Sequence, residues 1–401
     1  MPHNSKLFDF LKETIHQSVD QQIPFADFME LVLYHPQEGY YTARDAAIGP
    51  EGDFVTSSHL GHDFGELLAG QFVELWQHLE QPSPFHLVEM GAGQGLVAAD
   101  VLTYLENHHP ECFAALNYLI IEKSDGLRQV QQRRLAPWQG RVQWTTLEDT
   151  PDDDITGCIF SNELVDALPV HLIEQTETGP QEVYVTTTNT EAAQGPKLQE
   201  MLGPLSHPRL AEYFSLVGID FSTPHYPPGY RTEVHLAALD WMKTVATKLK
   251  RGYVVTIDYG YPAERYYGRA RSQGTLQCYY QHAHHNDPYA HLGHQDITAH
   301  VNFTALERQG ERCGLTTVGT TQQAMFLMAL GLGDRLNDLA QIQATDTETL
   351  NMAIQRRDTL HQLINPMGLG NFMVLVQAKN LEAANKPLKG LTIPPLSSTL
   401  S

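Results

Sequence analysis

A short strand followed by three closely spaced glycines constrains the fold of this chain more than any other feature. Residues 87–95 read Leu-Val-Glu-Met-Gly-Ala-Gly-Gln-Gly, an apolar run that leads directly into a Gly-x-Gly-x-Gly turn. A chain that passes so quickly from a buried strand into a helix needs positive φ values, and Gly91, Gly93 and Gly95 permit them. Apolar residues at helical spacing follow between 96 and 105, so the sequence predicts an α/β protein with a largely parallel sheet.

The next apolar run ends in an acid. Residues 118–121 read Tyr-Leu-Ile-Ile and are followed by Glu122. A carboxylate at the tip of the second strand can accept hydrogen bonds from both hydroxyls of a ribose, so we predict that Glu122 holds a ribose. After a third predicted strand at 142–144, Glu148 either reaches an adenine ring or belongs to a solvated loop, and the sequence leaves both roles open.

The glycine turn differs from a dinucleotide-binding fingerprint. Gly-x-Gly-x-x-Gly would place its third glycine at position 96, which is Leu96, so the start of the helix is not arranged for a pyrophosphate. Glu89 adds a negative charge near the turn, which would repel phosphate but suit a ligand that carries a sulfonium and an ammonium. The sequence therefore favours S-adenosylmethionine as the cofactor over a nicotinamide dinucleotide.

Composition limits the classes of partner. The chain has 401 residues and a formal net charge of −21, which would repel nucleic acid or an anionic membrane at long range. No apolar run is long enough to span a membrane, so we expect no membrane insertion. The four cysteines are scattered, and the histidines of segment 282–294 are irregularly spaced, so we predict neither a disulfide framework nor a metal site.

The organisation along the chain predicts one large domain with additions. We expect a helical N-terminal extension with a cofactor-covering loop at 1–84, then a core of seven strands at 85–380, and a flexible tail at 381–401. Two stretches depart from the core pattern and are predicted to be substrate-side insertions, at about 172–232 and 262–300. A strongly apolar strand at 253–257 ends in Asp258.

A second group of acids follows the predicted fourth strand. Residues 162–169 read Asn-Glu-Leu-Val-Asp-Ala-Leu-Pro and place Glu163 and Asp166 three positions apart. Methyl transfer from a sulfonium depends mainly on positioning of the nucleophile, and paired carboxylates suit a guanidinium, which binds them in a fork. Glu163 has an alternative role as a capping acid after Asn162 in a helix. Asp258 either anchors a loop through backbone hydrogen bonds or helps to hold the substrate.

Separated motifs in order give the chain a family resemblance over about residues 25 to 380. It resembles the MidA-like family of class I methyltransferases, whose members include a mitochondrial arginine methyltransferase that acts as a complex I assembly factor. The matching segments lie at 39–41, 48–57, 64–67, 89–95, 162–171, 257–260 and 296–303. Two stretches depart from the family pattern: residues 57–60, where a Ser-Pro-Glu-Ile-like sequence is usual, and 261–262, where a histidine is common.

The resemblance implies S-adenosylmethionine as methyl donor and a protein arginine as acceptor, with a respiratory complex I-type subunit among the acceptors to consider. By position, it implies that Gly52, Asp53 and Thr56 cover the cofactor, and that Asn162 and Glu163 lie at the methyl-transfer centre. Together with the pattern of acids described above, this leads us to assign Glu163, Asp166 and Asp258 as catalytic residues that orient an arginine nitrogen. Because no transit peptide is recognisable, we expect a cytoplasmic protein, and a homodimer is compatible with the sequence.

The sequence thus predicts an S-adenosylmethionine-dependent methyltransferase that acts on an arginine of a partner protein. Two alternatives stay open. One is a methyltransferase with a small-molecule acceptor, and the other is an assembly chaperone that binds S-adenosylmethionine without turnover. A nicotinamide-dependent dehydrogenase is a more distant alternative.

Overall fold

A computed structural model of the chain describes residues 5–42, 57–188, 197–342, 346–381 and 387–393. Gly52, Asp53 and Thr56, which are predicted to cover the cofactor, lie outside the described residues.

The described residues form helices and strands that alternate along most of the chain. The helices are α1 Ser5–Gln17, α2 Phe25–Tyr34, α3 Asp63–His78, α4 Leu96–His108, α5 Pro110–Ala115, α6 Asp125–Arg134, α7 Pro208–Val217, α8 Leu236–Lys248, α9 Ala263–Tyr266, α10 Phe303–Arg312, α11 Gln323–Leu330, α12 Leu332–Ala340 and α13 Thr347–Leu363. The strands are β1 Ile23–Pro24, β2 Phe85–Met90, β3 Leu116–Ile121, β4 Val142–Thr145, β5 Ile155–Asn162, β6 His171–Thr176, β7 Gly179–Thr187, β8 Leu198–Gly203, β9 Arg231–Val234, β10 Leu249–Asp258, β11 Gly260–Tyr261, β12 Gln277–Tyr280, β13 Ala283–His285, β14 Asp296–Thr298, β15 Val301–Asn302, β16 Thr316–Gln322 and β17 Met373–Lys379.

The central element is a seven-stranded sheet in the order β16-β17-β10-β5-β2-β3-β4. Strands β4, β3, β2, β5 and β10 are parallel to their neighbours, and β17 runs antiparallel to both β10 and β16. The chain winds outward from β2 to β4 on one side and from β5 to β10 on the other. The order therefore reverses between β2 and β5, and ligands of such sheets bind outside the carboxyl ends of the strands at this point.

Alternating side chains of the sheet fill two separate cores. On one face, Cys158 and Phe160 of β5 pack in a cluster with apolar residues of α3 and α4, and on the other face Ile159 packs with α8 and α10. This is the alternation that a strand buried on both faces requires. The predicted α/β class with a largely parallel seven-stranded sheet is confirmed.

A second, antiparallel sheet lies outside the central one and includes the first predicted insertion. Its order is β1-β7-β6-β9, with β8 paired to the free edge of β7. Leu7 and Leu11 of α1 and Phe28 of α2 pack against Val183 and Val185 of β7. The N-terminal helices and the insertion therefore share one core, although more than a hundred residues separate them in sequence.

Some elements were not predicted. The edge strand β16 reads Thr-Thr-Val-Gly-Thr-Thr-Gln and is mostly half-exposed, so it lacks the apolar signal that identified the other core strands. Within the predicted flexible tail, Leu388 and Gly390 are buried, and Gly390 lies against Phe326 of α11. In the described part of the chain, every helix is too short or too polar to cross a membrane.

The central sheet leaves no room for a side chain at Gly157 and Gly252. A Cβ atom at Gly157 would lie 1.9 Å from the carbonyl oxygen of His86 in β2, and one at Gly252 would lie 1.9 Å from that of Gly157. We expect Gly157→Ala to lower the free energy of unfolding by about 3 kcal/mol, because the backbone must shift within a packed core. Urea denaturation would measure this loss of stability. Gly140→Ala is the control, because a Cβ atom at Gly140 would meet no atom within 4 Å. Equal midpoints for the two variants would contradict this packing.

Candidate active site

The glycine turn joins β2 to α4 in the conformation that its glycines permit. Gly91, Gly93 and Gly95 have φ values of 70°, 52° and 75°. The amide of Gly91 donates to the carbonyl of Ile121 at 3.0 Å, which ties the turn to the end of β3. A Cβ atom at Gly91 would lie 2.8 Å from Cδ1 of Leu164, so the turn also touches the loop that follows β5.

Glu89 lies beneath this turn and is buried. The hydroxyl of Tyr118 donates to its Oε2 at 2.7 Å. Burial raises the pKa of Glu89 to about 7, although the bond from Tyr118 lowers it. The carboxyl is therefore easily protonated near neutral pH, and a cationic ligand nearby would favour its ionised form.

Glu122 lies at the tip of β3, as predicted, and its carboxylate is held in a small network. The amide of Ser124 donates to Oε1 at 2.9 Å, and Nε2 of Gln131 donates to Oε2 at 2.9 Å. The same Gln131 nitrogen donates to the carbonyl of Gly93 at 2.8 Å, and Nε1 of Trp144 in β4 donates to Oε1 of Gln131 at 2.9 Å. Each Glu122 oxygen keeps a lone pair for a ribose hydroxyl. Glu122 therefore fits the ribose of an adenosyl cofactor, and the glycine turn allows such a cofactor to approach the backbone closely.

Sequence reasoning missed Gln131, although a signal for it exists. Leu127, Gln131 and Leu135 recur every four residues along α6 and beyond, and all three are buried. A glutamine in the middle of an apolar stripe must find hydrogen-bond partners inside the protein. Such a position indicates a buried polar network rather than a packing residue.

Glu148 is exposed and lies three residues beyond the end of β4. The neighbouring acid, Asp149, bonds locally to the hydroxyl of Thr146 at 2.8 Å. The loop is therefore ordered by its own side chains, and adenine contact by Glu148 stays a prediction.

Glu163 follows β5 in a left-handed conformation, with a φ of 53°. Its amide donates to the carbonyl of Ile257 at 2.9 Å, and its Oε1 accepts from the amide of Ser57 at 3.0 Å and from Nδ2 of Asn162 at 3.2 Å. The helix-capping alternative is wrong, because the chain forms only a single 3₁₀ turn at Val165–Ala167. A left-handed glutamate is costly and such strain concentrates at functional sites.

Asp166 completes the acid pair and is buried. Burial raises the pKa of Asp166 to about 6, against the lowering effect of a hydrogen bond with Tyr259, and burial raises the pKa of Glu163 to about 8. Among the described residues, Oδ1 of Asp166 has no hydrogen-bond partner. The two carboxyls are therefore held in a place that penalises their charge, and a bound cation would lower both pKa values.

Asp258 anchors the loop that carries these acids. Its Oδ2 accepts from the amides of Leu164, Val165 and Asp166 at 3.2, 2.9 and 3.3 Å, and its Oδ1 accepts from the amide of Tyr259 at 2.9 Å. The sequence left two roles open for Asp258, and these hydrogen bonds to backbone amides are the ones expected of a loop anchor. Asp258 is fully buried with both oxygens engaged, so we revise its predicted catalytic role to that of a positioning residue.

Aromatic side chains from distant segments surround the acid pair. Tyr34 of α2 donates to the carbonyl of Ala167 at 3.0 Å and stacks on Tyr41, with ring centroids 5.4 Å apart. Tyr41 donates to Oδ1 of the buried Asp296 at 2.8 Å. The ammonium of Lys123 lies 5.2 Å from the Tyr34 ring centroid, so this ring already faces one cation. Sequence reasoning did not select Tyr34, Tyr41 or Asp296 individually, although the last two lie within the resemblance segments.

One group of described side chains is close enough together to hold a metal ion, namely His62, Asp63 and Glu66. Arg335 forms salt bridges with both Asp63 and Glu66, and Arg356 forms one with Asp63 at 2.6 Å. These guanidiniums supply the positive charge that the carboxylates require, so the cluster is an ion-pair network that joins α3 to α12 and α13.

Comparison with known proteins decides the family. A family model described as S-adenosyl-L-methionine-dependent methyltransferase matches residues 67–321. The chain belongs to this family. Its cofactor is S-adenosylmethionine, and it is a methyltransferase of the predicted MidA-like type.

Solved structures agree over nearly the whole chain. A COG1565 superfamily member from Burkholderia thailandensis, crystallised with bound S-adenosyl-homocysteine, is 30% identical, covers 97% of both chains and has a TM-score of 0.82. Among curated proteins, the mitochondrial "protein arginine methyltransferase NDUFAF7 homolog" of Drosophila melanogaster is 30% identical over 79% of this chain and 73% of its own length. The human NDUFAF7 protein is 26% identical over 94% of this chain and 86% of its own length.

These relatives correct one expectation. The sequence led us to expect a cytoplasmic protein, because no transit peptide is recognisable. The curated relatives are mitochondrial proteins, and they contradict that expectation. The beginning of a sequence was too weak a basis for a conclusion about cellular location.

The Gln131 network gives a first test of the cofactor site. We expect Gln131→Ala to weaken S-adenosylhomocysteine binding about tenfold, because the Glu122 carboxylate loses a charge-assisted hydrogen bond that orients it. Isothermal titration calorimetry would measure the dissociation constant. Gln132→Ala on the same helix is the matched control, since Gln132 is exposed. Equal affinities for the two variants would mean that Gln131 does not position the ribose acceptor.

The raised pKa of Glu163 predicts how stability depends on pH. The pKa of Glu163 is about 8 in the folded protein, whereas its ordinary value is 4.5. The neutral form of Glu163 therefore favours the folded state below pH 4.5, and this contribution to the free energy of unfolding is lost as the pH rises through 8. Glu163→Gln removes this dependence, so the variant should gain on the order of 2 kcal/mol relative to wild type between pH 5.5 and 8.5.

Thermal unfolding of both proteins at the two pH values would show this gain. The exposed Glu177→Gln substitution is the control, because it makes the same chemical change at a side chain that is not buried. A stability difference between wild type and Glu163→Gln that stays constant with pH would contradict the raised pKa.

Proposed function

We propose that this methyltransferase acts on an arginine side chain of a partner protein. The observation that supports this acceptor is the pair Glu163 and Asp166, held beside the glycine turn by the contact of Leu164 with Gly91. Of the described lysines, arginines and histidines, none forms a salt bridge with either carboxyl or is a cause of its pKa shift. Among the described residues, these two acids therefore have no positively charged partner.

A guanidinium fits these acids better than other acceptors do. It stays protonated in proteins and presents planar N–H donors that bind carboxylates in pairs. Its charge would lower the pKa values of Glu163 and Asp166, so that both become acceptors when the arginine enters. The rings of Tyr34 and Tyr41, stacked on each other, would close one side of the site.

The chain's own residues have separable roles in the reaction. When bound, S-adenosylmethionine supplies a methyl group on a positively charged sulfur. Glu122 and the glycine turn would hold its adenosyl part, and Glu163 would orient one guanidinium nitrogen towards the methyl group. As the new bond forms, that nitrogen must lose a proton, and the Glu163 carboxylate can accept it. Asp258 acts only through the loop that it anchors.

The names of the curated relatives support a protein acceptor, because they are protein arginine methyltransferases. The partner protein itself stays part of the proposal, and the resemblance implies a respiratory complex I-type subunit. Homodimer formation also stays a prediction.

The central test is Glu163→Gln. We expect turnover to fall at least about a hundredfold, because the amide can neither accept the proton nor balance the guanidinium charge. The dissociation constant of S-adenosylhomocysteine should stay within about twofold, since Glu163 lies outside the Gln131 network. Labelled methyl transfer to a lysate, followed by mass-spectrometric mapping, gives the activity and the acceptor together, with Glu177→Gln as control.

Other outcomes identify the alternatives. Label in small metabolites alone would make the protein a small-molecule methyltransferase, and label on residues other than arginine would overturn the acceptor. Cofactor binding with no turnover, together with stoichiometric capture of a partner, would favour the assembly chaperone. Full activity of Glu163→Gln would remove Glu163 from the mechanism.

A further inference from the structure

Three arginines form a compact positive surface beside the proposed acceptor site. We call Arg265, Arg269 and Arg271 the arginine patch. The guanidinium carbons of Arg265 and Arg271 lie 4.4 and 3.9 Å from the centroid of the Tyr261 ring. Nη1 of Arg271 also donates to the carbonyl of Arg265 at 2.7 Å. The fold therefore holds two positive charges against one aromatic ring.

These charges have no acidic partner within salt-bridge distance among the described residues. By contrast, Arg209 and Arg231 each pair with a carboxylate at 2.6 Å. The chain has 47 acidic and 26 basic residues, so carboxylates are available over most of its surface. Like charges held together repel one another, and an anion that bridges them would offset that repulsion.

The patch is connected to the methyl-transfer centre by packed rings. Tyr261 lies 5.2 Å from His300 between ring centroids, and His300 lies 5.2 Å from Tyr259. Tyr259 in turn hydrogen-bonds with Asp166. Parallel pairing of β11 with β15 sets Tyr261 opposite Asn302, which fixes this order of rings. The path from the Arg271 guanidinium through these rings to Asp166 is therefore at most about 20 Å long, which about six residues of extended peptide can span.

We propose that the arginine patch binds an acidic stretch of the acceptor protein, located within about six residues of the arginine that is methylated. This inference rests on the proposed function. Carboxylates suit guanidinium pairs because each can accept two parallel N–H bonds. Without the patch, an acidic stretch would be repelled by a protein of net charge −21, so the patch would select acceptors in which an arginine and acidic residues lie close together.

The test is a binding measurement that does not depend on turnover. The probes are two fluorescein-labelled peptides with one central arginine, one with Asp and Glu residues four and five positions to either side, and one with Asn and Gln in their places. In the presence of S-adenosylhomocysteine, wild type should bind the acidic peptide about tenfold more tightly at low salt. The combined variant R265Q/R269Q/R271Q should lose this preference.

The matched control removes the same charge elsewhere. The variant K243Q/R312Q/R357Q changes three exposed cations outside the patch and should keep the preference. Unchanged calorimetric affinity for S-adenosylhomocysteine would show that the patch variant is folded. No preference in wild type, an equal loss in both variants, or a preference that survives in the patch variant would each overturn the proposal.

Two further results would distinguish a failed acceptor assignment from a different ligand at the arginine patch. If wild type prefers the acidic peptide but methylates neither peptide, the arginine patch binds acidic peptides and the proposal that an arginine is the methyl acceptor is wrong. Equally strong competition by a short single-stranded RNA of the same charge would make the patch a nucleic-acid contact, which overturns the proposal.

Discussion

The Asp258 carboxylate determines the shape of the site more than any other group. It lies at the end of β10 and accepts the amides of three successive residues, 164 to 166, from the neighbouring strand connection. Three amides that converge on one oxygen fix the backbone direction immediately after Glu163. That constraint helps to explain why a glutamate adopts a left-handed conformation there, since the surrounding bonds compensate its cost. The position of Glu163 beside Ser57 and the packing of Leu164 against the glycine turn both depend on this loop.

The same loop concentrates acids in a place where charge is disfavoured. Burial raises the pKa of Glu163, Asp166 and Asp258, and for Asp258 the two neighbouring acids raise it further. A protein gains no stability from such an arrangement, because each carboxyl must either stay protonated or lose hydration. The arrangement is understandable if a cation completes it. A site that gains its counter-charge only from the substrate discriminates strongly against neutral side chains, because these would leave the acids unpaired.

Local features of the sequence predicted the fold and the kind of cofactor correctly. The glycine turn and Glu122 follow directly from strands whose apolar runs are easy to read. The features that were missed depend on long-range contacts. Gln131 bridges the turn to Glu122, and Tyr34 reaches a carbonyl 133 positions away, neither of which local periodicity can reveal. The capping role suggested for Glu163 failed because the tertiary bonds to Asp258 prevent a regular helix where local propensity favours one.

The acceptor side of the proposed site is built from parts that lie far apart in the sequence. The N-terminal helices supply Tyr34 and pack on the sheet of the first insertion, whereas the second insertion supplies both the arginine patch and Asp296. Acids at the centre and arginines at the edge give this face an alternating charge pattern on an otherwise acidic protein. Such a pattern favours one register of a bound peptide, because a shift would place like charges together. Under the proposed function, the additions to the methyltransferase core would therefore select the arginine that reaches Glu163, while the core binds the methyl donor.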